Sequence, residues 1–151
     1  MLKHDRRCIE MSKKKDIATA LLGILMALIF WLTVLSREKL IGTAIVYTPF
    51  HEILSMWKSI QRGGITGNFL GNIVLFVPVG VLFPLVSGKQ KLLWTVGVGF
   101  GFSLFIEIIQ LITARGCFDP DDIILNTLGA AIGYGLYRAI VYKKTIDAEN
   151  C

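Results

Sequence analysis

Four long apolar stretches alternate with short polar segments along this sequence. The first covers residues 17–35 without a charged side chain, and as a helix it rises about 28 Å, close to the ~30 Å hydrocarbon core of a bilayer. Three further stretches of similar length lie at about 68–86, 92–112 and 123–142. The pattern predicts an all-α fold, a polytopic membrane helix bundle with four transmembrane helices.

The first stretch follows positive residues, as the apolar core of a signal peptide does. It is too long for such a core, and Val34-Leu35-Ser36-Arg37 offers no small-x-small cleavage site. We therefore expect it to remain as a membrane anchor. The predicted organisation is a basic N-terminal segment at 1–16, a membrane domain at 17–142 and a short tail at 143–151.

Basic residues are unevenly divided between the two ends of these spans. Eleven of the sixteen lysines and arginines lie in the N-terminal segment, the second connection and the C-terminal end, and five lie on the other side. Because positive residues are retained in the cytoplasm, both termini are expected to be cytoplasmic. Membrane insertion and anionic headgroups explain the basic excess, so no nucleic-acid partner is predicted.

The connection between the first two spans has a helical pattern of its own. Thr48 and Pro49 resemble an N-cap and a first helical residue. Apolar side chains then recur at helical spacing, at Phe50, Ile53, Leu54, Trp57 and Ile60. A helix at 49–62 would either lie in the external membrane interface or pack on the ends of the bundle, and one apolar stripe is compatible with both.

Composition excludes several other classes of protein. Of the 151 residues, 54% are hydrophobic and 18% charged, which is not typical of a soluble globule or a disordered chain. The three cysteines are too scattered for a disulfide framework or a zinc site. No cofactor is predicted.

Polar side chains recur at helical spacing inside three of the spans. They are Asn68 and Asn72 in the second span, Ser103, Glu107 and Gln110 in the third, and Asp122 and Asn126 in the fourth. The rise per residue places Asn72, Glu107 and Asn126 at one depth, in the outer half of the membrane. Burying a polar group at that depth is unfavourable in free energy, so such groups are normally hydrogen-bonded, ion-paired or required for function.

These groups have two interpretations. The amides alone are explained as interhelical hydrogen bonds, worth about 0.6 to 2 kcal/mol each. Glu107 favours a functional site, because an ionisable group is harder to bury and requires a cation or a proton. Arg115 is the nearest basic residue, and it reaches Glu107 only if the loop at 113–118 folds back.

The sequence Asp119-Pro120-Asp121-Asp122 is typical of a helix start, with Asp119 as the cap and Pro120 at the first position. Its carboxylates also match the oxygen ligands of magnesium or calcium. No ligand array of known spacing and no histidine accompany them, so no metal site is predicted.

Small residues indicate close packing between the last two spans. Gly97-x-x-x-Gly101 and Gly129-x-x-x-Gly133 would each let a neighbouring backbone approach. The expected arrangement is an antiparallel pair formed by the third and fourth spans.

The polar positions also form motifs with a recognisable order. They are Thr48-Pro49-Phe50, then Asn68-x-x-x-Asn72-x-x-x-Phe76-x-Pro78-x-Gly80, then Glu107-x-x-Gln110, then Arg115-x-x-x-Asp119-x-x-Asp122-x-x-x-Asn126-x-x-Gly129. Over about residues 47–142 this series resembles the VanZ-like family of small bacterial membrane proteins. The resemblance implies a multi-pass protein of the bacterial cytoplasmic membrane, but it implies no particular reaction.

The founding member of that family is associated with resistance to teicoplanin, a glycopeptide that binds cell-wall precursors outside the membrane. The motif positions that carry over are Asn68, Asn72, Glu107, Gln110, Arg115, Asp119, Asp122 and Asn126. Helix depth places them in one outward-facing pocket.

Three functional hypotheses follow. The favoured one is a non-catalytic protein whose pocket engages an amphiphile, namely a membrane lipid, a lipid-linked wall precursor or the acylated antibiotic. The second is an intramembrane enzyme acting on lipid phosphate or acyl groups, with Glu107 or an aspartate as general base and a divalent ion as electrophile. The third is a transport or assembly accessory, ranked last because the chain has no convincing internal repeat.

Overall fold

The computed structural model describes residues 2–38, 50, 54–55, 58, 67–88 and 91–149. This part of the chain contains four long helices and no β-strand. They are α1 (Leu2–Phe30, continuing as a π-helical turn over Trp31–Leu35), α2 (Gly67–Ser87), α3 (Leu92–Thr113) and α4 (Pro120–Glu149).

Each helix contains a segment long and apolar enough to cross a membrane. These segments are Ser12–Leu35, Phe69–Ser87, Leu92–Thr113 and Pro120–Lys143. Large apolar side chains cover the outside of the bundle, as shown by Leu93 and Ile112, which are 79% and 73% exposed. Such a surface suits lipid, so the predicted all-α bundle with four membrane-spanning helices is confirmed.

The end of α1 departs from α-helical geometry. Over Trp31–Leu35 the helix widens to a π-helical turn, which closes with a hydrogen bond of 2.9 Å from the Ser36 amide to the Trp31 carbonyl. Val34 lies on the inner side of this turn and is buried in the core of the bundle with Ile29, Phe76 and Ile106. The turn therefore joins α1 to both α2 and α3.

Glycines bring α2 and α4 into backbone contact. A Cβ atom built on Gly133 would lie 2.0 Å from the Val77 carbonyl oxygen, and one built on Gly129 would lie 2.2 Å from that of Ile73. No larger residue fits at either position without moving the helices apart. Residue numbers rise together along both helices at these contacts, so α2 and α4 run parallel.

The predicted partner of the Gly129 and Gly133 motif is therefore wrong. Gly97 and Gly101, its expected counterparts on α3, have no heavy atom within 4 Å of a built Cβ. The close approach between α3 and α4 occurs instead at Gly99, where such a Cβ would lie 2.6 Å from that of Ala130. The spacing of small residues signalled a close contact without specifying the helix that makes it.

A tight loop connects α3 to α4. Ala114 ends α3 in the left-handed conformation with a φ of 53°. At the other end, Asp119 caps α4, because its Oδ1 accepts a hydrogen bond of 2.9 Å from the Asp121 amide. Pro120 is the first helical residue, so the predicted start of the last helix is confirmed.

The helix predicted at 49–62 lies largely outside the described residues. Phe50 has a φ of 66°, and its carbonyl accepts a hydrogen bond of 2.8 Å from the Leu54 amide. Thr48, the predicted cap, lies outside the described residues. Whether this segment lies in the membrane interface stays a prediction.

Candidate functional site

Polar side chains from three helices meet inside the bundle, near the end at which α3 stops and α4 begins, which we call the loop end. Six residues form this polar cluster: Asn72 on α2, Ser103 and Glu107 on α3, and Asp119, Asp122 and Asn126 at the start of α4. On α4 they lie three and four residues apart, and on α3 four apart, so each set occupies one helical face.

Asn72 and Asp122 connect the two parallel helices. The side-chain amide of Asn72 donates a hydrogen bond to Oδ1 of Asp122, in a partly buried position. The glycine contacts described above hold α2 and α4 close enough for two such short side chains to meet. Close backbone packing therefore makes this polar contact possible.

Asn126 and Ser103 connect α4 to α3. The Asn126 amide nitrogen donates to the Ser103 hydroxyl at 2.8 Å, and both side chains are buried. The Asn126 carbonyl oxygen is also buried and accepts no hydrogen bond from the described residues. A buried acceptor without a donor is unfavourable by about 1 to 3 kcal/mol, so this oxygen is suited to receive a donor from a ligand.

Glu107 is held by the backbone of the α3–α4 loop. Its side chain is 1% exposed, and its Oε2 accepts a hydrogen bond of 2.9 Å from the Asp119 amide. The carboxylate that makes Glu107 costly to bury is thus bonded by the residue that caps α4. No motif in the sequence identifies a backbone donor, which is why this contact was not predicted.

Arg115, the basic residue nearest to Glu107 in the sequence, does not pair with it. Arg115 instead donates through Nη1 to the Leu35 carbonyl at 2.8 Å and to the Arg37 carbonyl at 3.4 Å. Arg115 therefore joins the α3–α4 loop to the residues at and just after the end of the first membrane segment. This contact could not be predicted from the sequence, because only the tertiary fold brings the end of α1 beside the α3–α4 loop.

Gln110 also bonds to α1 and not to the polar cluster. Its amide nitrogen donates to the Thr33 carbonyl at 2.8 Å, within the π-helical turn. Asn68 lies one turn before Asn72 in α2, and its side chain lies outside the described residues. Of the eight predicted pocket residues, five therefore belong to the polar cluster, and Gln110 and Arg115 join α3 to α1.

One member of the polar cluster, Ser103, and one buried residue beside it, Asp121, were not among the predicted site residues. Ser103 had a usable signal, since it lies one turn before Glu107 on the same face of α3. Asp121 is fully buried and accepts a hydrogen bond of 2.6 Å from the Phe50 amide, which ties the connection after α1 to the start of α4. Its sequence position suggested only a favourable charge at a helix start.

The chemistry of the polar cluster is that of an acceptor surface. Three carboxylates and the unpaired oxygen of Asn126 outnumber its side-chain donors, which are two amide groups and one hydroxyl. Within the described part of the chain, no three histidine, cysteine or acidic side chains are grouped so as to hold a metal ion. Ligands with O–H or N–H donors complement such a surface best.

Comparison with known proteins identifies a family to which this sequence is similar. A family model described as VanZ/LLP1 matches residues 18–142. Protein VanZ of Enterococcus faecium is 28% identical over 145 residues, covering 88% of this chain and 83% of that protein. No solved structure matches the chain. The family match includes all six residues of the polar cluster.

Proposed function

The chain belongs to the VanZ/LLP1 family, which is associated with teicoplanin resistance, and from that premise we propose that it modulates glycopeptide susceptibility by binding an amphiphile at the polar cluster. The ligand is a lipid, a lipid-linked wall precursor or the acylated antibiotic. Its polar part would occupy the cluster while its apolar part stays in the membrane. The protein acts by binding, without a chemical step of its own.

One observation carries this proposal, the buried and unpaired carbonyl oxygen of Asn126. A polar group that served only to join α3 and α4 would be expected to satisfy both of its atoms, because an unpaired one weakens the contact. A ligand hydroxyl or amide N–H would complete it. Wall precursors and glycopeptides both carry such donors, on sugars and on peptide groups.

Charge also favours a donor-rich ligand. Asp119 and Asp122 place two carboxylates beside the buried side chain of Glu107, whereas the guanidinium of Arg115 bonds to a carbonyl at the end of the first membrane segment. An anionic group at this position would be repelled, whereas sugar hydroxyls and amines would be attracted. The polar cluster is therefore proposed to bind the hydroxyl- or amine-bearing part of its ligand.

The distribution of basic residues supports an outward-facing site. The loop end is the end with fewer lysines and arginines, so it is proposed to lie outside, with both termini in the cytoplasm. Glycopeptides and the exposed parts of wall precursors are found on that side. The polar cluster would then be reached from the outer leaflet.

Teicoplanin susceptibility tests this proposal. Glu107→Gln keeps the size of the side chain and replaces its carboxyl group with an amide, so it is expected to reduce protection while the protein stays in the membrane. The matched control is Glu38→Gln, which removes an exposed carboxylate at the same end of the bundle. Unchanged susceptibility in the Glu107 variant, at equal protein level, would contradict the proposal.

A further inference from the structure

A recess lies at the loop end, on a different side of α3 from the polar cluster. It is a cleft of about 440 Å³ between the π-helical turn of α1 and the last turns of α3. Its walls are mainly apolar, formed by Phe30, Val34, Leu35, Ile109 and Ile112. The volume is within the ~300–1,000 Å³ of pockets that hold small molecules.

The polar end of this cleft is formed by Thr113 and Arg115. Thr113 donates its hydroxyl to the Ile109 carbonyl at 2.7 Å, so its donor is already used. Arg115 uses Nη1 to bond the carbonyls of Leu35 and Arg37, and these acceptors carry no net charge to neutralise the guanidinium. The fixed positive charge at the cleft is therefore that of Arg115.

The π-helical turn explains why Arg115 is held in this position. At the end of a helix the last carbonyls lack intrahelical donors, and the carbonyl of Leu35 receives the guanidinium at 2.8 Å. A guanidinium has five N–H donors in a planar fork, so a single Nη1 group bound to carbonyls leaves further donors for an anion. Arg115 is also one of the residues that line the cleft, so its guanidinium lies beside the apolar walls.

We infer that this cleft binds an anionic glycerophospholipid, with the phosphate on Arg115 and an acyl chain against the apolar walls. The occupant follows from two features that adjoin each other, a recessed apolar surface open to the membrane and a cation at its end. A zwitterionic lipid offers the same chain but adds a positive group near Arg115. A soluble anion would make no use of the apolar walls.

This lipid site is independent of the proposed glycopeptide function. Ile109 and Ile112 point to one side of α3, whereas Ser103 and Glu107 point into the bundle. Loss of the phospholipid would therefore leave the polar cluster intact. It would weaken the junction between α1 and α3, which the bond from Gln110 to Thr33 and the bonds of Arg115 also hold.

Native mass spectrometry of the detergent-purified full-length protein tests the inference, with phosphatidylglycerol and phosphatidylcholine as probes of matched chains. The wild type should retain phosphatidylglycerol about fivefold better, the ratio that one basic residue gives at a membrane surface. Arg115→Gln should abolish that preference. Arg138→Gln, which removes the same charge from an exposed site on α4, should keep it.

A second pair of variants tests the apolar part of the cleft without changing any charge. Ile109→Trp would fill it and should lower retention of phosphatidylglycerol, whereas Leu93→Trp, on the exposed surface of the same helix, should not. Equal retention of the two lipids by the wild type would overturn the inference. So would a preference that persists in Arg115→Gln, or equal losses in Ile109→Trp and Leu93→Trp.

Discussion

Asn126 donates a hydrogen bond of 2.8 Å to Ser103 while its own carbonyl oxygen stays buried without a donor from the described residues. Of the two polar atoms of the Asn126 side chain, only the nitrogen is therefore hydrogen-bonded across the contact between α3 and α4. This arrangement joins two properties of the molecule, the stability of its helix packing and its capacity to accept a donor from a ligand.

Replacing Ser103 with alanine removes the acceptor of the Asn126 amide. We expect the free energy of unfolding to fall by about 1 kcal/mol, since interhelical hydrogen bonds in membranes are worth about 0.6 to 2 kcal/mol. The measurement is unfolding in mixed micelles, as a double-mutant cycle with Asn126→Ala. Effects that add to within about 0.5 kcal/mol would mean that the two side chains do not interact.

Gly133→Ala should separate the parallel helices α2 and α4. The new Cβ would lie 2.0 Å from the Val77 carbonyl oxygen, and overpacking of this kind destabilises by about 1 to 3 kcal/mol. Gly135→Ala is the matched control, because a Cβ there meets nothing within 4 Å. Thermal unfolding in detergent should show a lower midpoint for the first variant only. Equal midpoints would contradict the close approach.

Asp119→Ala should weaken the start of α4. The lost cap on the Asp121 amide is worth about 1 kcal/mol, and the Asp119 backbone can still donate to Glu107. Asp119→Ser keeps a capping oxygen and should recover most of the stability lost in the alanine variant, as followed by thermal unfolding. If serine were no better than alanine, the capping role of Asp119 would be wrong.

Cysteine labelling of whole cells tests the proposed orientation. In a chain whose native cysteines are replaced by serine, Glu38→Cys at the loop end should react with a membrane-impermeant maleimide. Lys91→Cys, at the opposite end of the bundle, should react only after lysis, because both termini and the connection between α2 and α3 are proposed to be cytoplasmic. The reverse labelling pattern would place the polar cluster on the wrong side for a glycopeptide.

The membrane-spanning core was predictable because hydrophobicity alone determines which segments can enter a bilayer. The start of α4 was predictable for a different reason, since Asp119 and Pro120 act locally on the backbone that follows them. The lengths of the helices were harder to predict from the sequence. The helix of the first span begins at Leu2, well before the predicted span, because basic residues bar a segment from the hydrocarbon core without breaking a helix.

The candidate site was predictable only in part. Depth and periodicity brought Asn72, Glu107 and Asn126 to one level, and the structure gathers them in one cluster. Their partners could not be predicted from the sequence, because Glu107 bonds to a backbone amide and Arg115 to carbonyls exposed at the end of α1. Such contacts depend on how the ends of different helices pack together in the folded protein.

Mass spectrometry of the molecules that co-purify with the protein in mild detergent tests the central claim most directly. The wild type should carry two amphiphiles, the anionic phospholipid of the Arg115 cleft and a second one with hydroxyl or amine groups at the polar cluster. A folded Asn72→Ala, Glu107→Gln, Asn126→Ala triple variant should lose the second and keep the phospholipid, which distinguishes the two sites. If every amphiphile carried by the wild type were recovered from the triple variant in equal amounts, a ligand site at the polar cluster would be contradicted.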